Sequence, residues 1–150
     1  MEEFTIWNYL IYFVMFIMLT ISIFTDWKKH KIYNWVTYPG IILGFILNSI
    51  AYGLDGFISC CISFGIALVF FLIFYIFKMI GAGDVKLIIA IAVLTNVFHA
   101  FAGLIVGSLL AAIYGAYVWI KTRDRKAKIP YGIFIGIGFY LYELLVFLTM

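Results

Sequence analysis

Polar positions in this chain fall in a few short clusters. Between them lie apolar runs of about twenty residues, the length that crosses a hydrocarbon core about 30 Å thick as an α-helix. Six such runs are legible, at residues 6–25, 35–52, 57–77, 85–97, 101–120 and 133–149. They predict an all-α fold: a polytopic membrane protein built as a six-transmembrane-helix bundle, with residues 1–150 forming a single membrane-embedded domain. The first run extends well past the short core of a signal peptide and no small-residue cleavage region follows it, so it reads as a retained helix.

The fourth boundary carries the most information. No charge occurs from Leu87 to Ile120, and one continuous helix of that length would reach about 50 Å, too long for a bilayer. A break is expected near Thr95-Asn96 or at His99. An early break makes the fourth helix shorter than the hydrocarbon core, which draws the residue at its start, Asp84, inward.

Composition agrees with the pattern: 67% of residues are hydrophobic and 11% charged, which excludes an ordinary soluble domain. The ten Lys and Arg residues fall in three groups, Lys28, Lys29 and Lys31, then Lys78 and Lys86, then Lys121, Arg123, Arg125, Lys126 and Lys128. These are the alternate connections of a six-helix chain. The positive-inside rule therefore places all three in the cytoplasm and both termini outside, with Glu2, Glu3 and Asp55 on the outer side. The basic run from Lys121 to Lys128 adjoins a membrane helix, where it attracts anionic lipid rather than nucleic acid.

Asp26 ends the first apolar run, and Asp84 starts the fourth within Gly81-Ala82-Gly83-Asp84. Both are expected on the cytoplasmic face. Carboxylates at such positions are costly and point to function. Two of them in one site cannot both ionise comfortably, so one becomes a proton donor and the other a base that activates water, with no metal or cofactor required. The negative end of the first helix disfavours ionised Asp26, whereas the positive end of the fourth and the nearby Lys86 favour ionised Asp84. On that basis Asp84 is the base and Asp26 the acid. Gly81 and Gly83 lack a Cβ, which permits positive φ and close approach of other backbone to the acid.

Three segments resemble the type IV prepilin peptidases, a family that includes the preflagellin peptidases and shares the G-x-G-D signature with presenilin-like enzymes. They are Asp26-Trp27-Lys28-Lys29-His30-Lys31-Ile32-Tyr33-Asn34, Gly81-Ala82-Gly83-Asp84-Val85-Lys86-Leu87, and Ile129-Pro130-Tyr131-Gly132. Tyr33 stands where the family usually has proline. The resemblance implies an aspartic endopeptidase in a prokaryotic cell membrane, with Asp26 and Asp84 catalytic. Gly81, Gly83, Lys86, Asn34 and Pro130 would support the active-site loops. The implied partner is a prepilin-like or preflagellin-like precursor, cut at the cytoplasmic surface after its short basic leader. The cysteine-rich cytoplasmic domain of longer members is missing between the first two helices, so no zinc site is expected and N-methylation is in doubt.

Other polar residues receive simpler readings. Asn34 reads as the N-cap of the second helix, and Lys86 either serves the site or snorkels to headgroups. Cys60 and Cys61, being adjacent, point in different directions and suit packing rather than a metal. His30 and His99 have no acidic partner at ligand spacing. Glu143 is interfacial or marks a second polar site. Gly103 with Gly107, and Gly132, Gly136 and Gly138, favour close helix packing and admit a homodimer. Two rival functions use the same sequence: a small proton-coupled transporter relaying protons through the same acids, and a non-catalytic scaffold for pilus assembly.

Overall fold

The structure is a computed structural model that describes residues 6–123 and 131–149. Five helices follow in order: α1 (Ile6–Lys29), α2 (Asn34–Ile76), α3 (Ala82–Leu94), α4 (Val97–Thr122) and α5 (Tyr131–Thr149). Among the described residues there is no strand, as an all-α fold requires. By length and apolarity α1, α2 and α4 are each able to cross a membrane, and α5 adds a shorter apolar helix.

The long α2 contains two of the expected runs. Gly53 interrupts it with φ +64° and ψ −140°, a backbone region strained for any residue with a Cβ. The chain folds back there. The Phe45 ring lies 5.8 Å from that of Phe57 and 6.2 Å from that of Phe64, and Cys60 Sγ lies 3.8 Å from the Gly44 carbonyl oxygen. Residues 34–52 and 54–76 are thus the antiparallel arms of a hairpin, close to the expected runs 35–52 and 57–77.

Between these arms lies α3, the most deeply placed element. Every residue from Leu87 to Leu94 is buried, and a helix apolar on all sides belongs in the interior. Its 13 residues span about 20 Å, the short helix that the break predicts. The break falls at Thr95-Asn96, where Asn96 Oδ1 accepts the His99 N–H at 2.9 Å and caps α4. Around α3 the core is built from Leu19 of α1, Phe71 of α2, and Ile135 and Phe139 of α5, all nearly or wholly buried. The outward faces carry exposed apolar side chains such as Phe13, Phe16, Ile62, Val69 and Ile113, a surface suited to lipid rather than water.

Glycines join α4 to α5. A Cβ on Gly103 would fall 2.8 Å from the Phe139 ring, and one on Gly138 would collide with the backbone of Gly107. The Gly103–Gly107 face is therefore covered by α5 of the same chain and gives no support to a second copy. The last helix is also tied to α1, where the Tyr140 hydroxyl donates to the Phe16 carbonyl oxygen at 2.9 Å.

Candidate active site

Asp26 lies in the last turn of α1, and its residue is 6% exposed. Its Oδ2 accepts the backbone N–H of Ile133 at 3.1 Å, the first turn of α5 being aimed at the carboxyl. A Cβ on Gly132 would stand 3.0 Å from the same oxygen. A glycine is needed there because any side chain would push the α5 backbone off the acid.

Asp84 lies in the first turn of α3, three residues after Gly81, which occupies the N-cap position without a side-chain cap. It does not cap the helix itself. Its carboxyl instead takes the backbone N–H of Gly81, the backward reach by which an acid at this position satisfies a free helix-end donor. A Cβ on Gly81 would be 3.0 Å from Asp84 Oδ2, and one on Gly83 would be 3.1 Å from Ile32 Cβ and 3.2 Å from the Ile32 carbonyl oxygen. Close approach is what these two glycines provide. Positive φ is not involved, since among the described glycines only Gly53 adopts it.

Seated on Ile32, α3 brings its acid beside the connection between α1 and α2. One cavity of about 440 Å³ is lined by Asp26, His30, Lys31, Ile32, Asn34, Gly81, Ala82, Gly83, Asp84 and Lys86. Two acids 58 positions apart in sequence thus share one space. Burial pushes Asp84 up from its ordinary value of 3.8 to about 6, the negative charge of Asp26 pushes in the same direction, and the Gly81 N–H opposes both. This overturns the expectation that the helix end and Lys86 hold Asp84 low. Lys86 is occupied elsewhere: its Nζ donates to Asn34 Oδ1 at 2.9 Å and stands 5.0 Å from the centre of the Tyr38 ring.

That contact also corrects Asn34. The N-cap position of α2 is held by Tyr33 without a side-chain bond, and Asn34 joins the lysine of the second motif to the start of α2. Pro130 lies outside the described residues. Its neighbour Tyr131 pairs with Ser108 of α4 through the two hydroxyls at 2.6 Å, which fixes the start of α5 beneath Asp26. Sequence reasoning missed Ser108 and the Ile133 N–H, since a backbone donor has no residue signature.

His99 and Glu143 are also joined, a contact between residues too far apart in the chain for their spacing to announce it. Their side chains meet at 3.3 Å between α4 and α5, and the His99 ring stands edge-on to that of Tyr142. Neither residue lines the cavity of the two aspartates.

Long apolar helices around a cavity that holds two carboxyls define a membrane protein with a polar site at its surface. The sequence model of the type IV leader peptidase family matches residues 13–116, and the chain belongs to that family. It is therefore a member of a peptidase family. The match includes both aspartates and the whole of α3 but stops short of α5, which supplies the N–H to Asp26. No curated protein and no solved structure matches the chain.

Proposed function

We propose that the protein is an aspartic endopeptidase that removes the short basic leader of a prepilin-like precursor at the cytoplasmic membrane face. The observation that carries this reading is the shared cavity of Asp26 and Asp84, each acid backed by a glycine where a Cβ would press on it. The side is argued from charge. Lys31 and Lys86 line the same cavity, and cationic connections stay on the cytoplasmic side; both termini then lie outside.

The roles of the acids follow from their surroundings. Asp84, held at about 6, keeps its proton up to that pH, well above the range of an ordinary carboxyl, and is the donor. Burial raises Asp26 as well, but the Ile133 and Gly132 N–H groups oppose it, so of the two acids it is the readier to ionise and is the base. Asp26 removes a proton from water as the oxygen attacks the scissile carbonyl carbon, and Asp84 gives its proton to the carbonyl oxygen. The tetrahedral intermediate collapses as its hydroxyl proton returns to Asp84. The C–N bond breaks and Asp26 passes its proton to the leaving amine, restoring both acids. The test is cleavage of a prepilin-like precursor in detergent by wild type, Asp26→Asn and Asp84→Asn. Each variant is expected to lose about 10²-fold or more in rate, and normal cutting by either one defeats the mechanism.

A further inference from the structure

A helix that stops inside an apolar interior leaves its last carbonyl groups without partners, and each one left unsatisfied in hydrocarbon is costly. The short α3 is such a helix, and its far end is met by side chains from both arms of α2. Asn48, 8% exposed, donates through Nδ2 to the carbonyl oxygens of Val93 at 3.1 Å and Leu94 at 3.2 Å. Cys60 Sγ stands 3.4 Å from the Val93 oxygen. Two glycines let the arms close on this point: a Cβ on Gly44 would lie 3.2 Å from the Leu94 nitrogen, and one on Gly56 would collide with the Asn48 carbonyl.

Asp84 rides on the opposite end of the same rigid helix. We propose that Asn48, assisted by Cys60, is a positioning residue that fixes the depth of α3 and so sets where the Asp84 carboxyl stands relative to Asp26. This inference rests on the peptidase reading for its purpose but not for its geometry. Asn48 lies 14 residues along α2 from Asn34, about 21 Å at helical rise, so it touches neither acid. It acts through the helix. The charged and titratable groups around Asp84 in the cavity are Asp26 of α1, His30 and Lys31 of the connection, and Lys86 of α3.

The experiment reads the coupling between the acids rather than turnover. Full-length protein labelled with ¹³C-aspartate in lipid nanodiscs is titrated by infrared spectroscopy, with Asp84→Asn identifying the Asp84 carboxylic acid band. In the wild-type background, Asp26→Asn is expected to lower the Asp84 midpoint by about one pH unit through loss of a neighbouring negative charge. In Asn48→Leu the same Asp26→Asn change should move it less than half as far, because the helix no longer holds the acids in register. An equal shift in both backgrounds overturns the inference. If Asn48→Leu does not accumulate as folded protein, Cys60→Ala takes its place; partial loss of coupling, with full coupling kept in Cys60→Ser, supports the inference, and full coupling in both variants overturns it. Failure of wild type to cleave any precursor sinks the peptidase reading and leaves this coupling measurement unaffected.

Discussion

Two polar clusters sit at the two ends of α1, and they are built on opposite principles. At one end Asn8 accepts a hydrogen bond from the Tyr52 hydroxyl. Asn8 and Asp26 are separated by roughly 27 Å of helix. His99 and Glu143 are likewise complementary, a ring nitrogen against a carboxylate. Each of these groups has a partner of suitable kind, which is how polar side chains are ordinarily carried inside apolar structure. The cavity at the other end holds two groups of the same kind, Asp26 and Asp84, with backbone N–H donors supplied to each. Complementary pairs lower the energy of the fold, whereas two like acids raise it. A fold retains such a pair for chemistry, since perturbed groups in a cleft mark functional sites.

The sharpest way to break this contrast is to neutralise one acid in each pair. Asp84→Asn should reduce precursor cleavage about 10²-fold or more, whereas Glu143→Gln should leave it within about twofold, since Glu143 meets His99 and lies outside the cavity of the aspartates. Equal losses measured side by side would erase the distinction.

Next in size are the glycines that bring backbone to the acids. In Gly132→Ala the new methyl presses on Asp26 Oδ2 and, at 2.8 Å, on Ile32 Cδ1. Initial rates should fall by about ten- to a hundredfold, as small displacements of a reacting group can, with little change in the thermal midpoint. A large loss of stability with normal specific activity would assign this glycine to packing alone.

The acidity of Asp84 sharpens the comparison further. A carboxyl raised to about 6 keeps its proton below that pH and loses it above. With Asp84 as the proposed donor, kcat/KM should fall on the alkaline side of about 6, by about tenfold per pH unit. A profile that rises through this range would give Asp84 the role of base.

Smaller effects belong to stability. Gly53→Ala meets no atom within 4 Å, so its cost is conformational, about 1–3 kcal/mol. It should appear as a lower unfolding midpoint in detergent with an unchanged pH profile. The smallest effect is expected for His99→Gln, less than about 1 kcal/mol for a partly exposed pair. A larger drop would mean that this end contributes more to the fold than its geometry implies.

The fold was legible where it depends on runs and breaks. Apolar lengths marked both arms of α2 on either side of Gly53. The excess length of the charge-free stretch from Leu87 to Ile120 required a break, which falls at Thr95-Asn96 where Asn96 caps α4. The two acids of the cavity stood out in the sequence because carboxylates are rare in apolar stretches. What escaped was contact between distant positions. The bond of Asn34 to Lys86 joins residues 52 apart, and that of His99 to Glu143 joins residues 44 apart. No local spacing encodes either. The acidity of Asp84 was misjudged for the same reason. Helix polarity can be read along the chain, but burial and the field of Asp26 exist only once the helices are assembled.

The hydrogen bond from Ile133 to Asp26 has a consequence for biogenesis. Helices enter the membrane in chain order, so a nascent chain with α1 to α4 inserted already carries both acids, yet it lacks the donor that stabilises the carboxylate. On the proposed reading, the Asp26 side of the site is complete only once α5 has docked against α1.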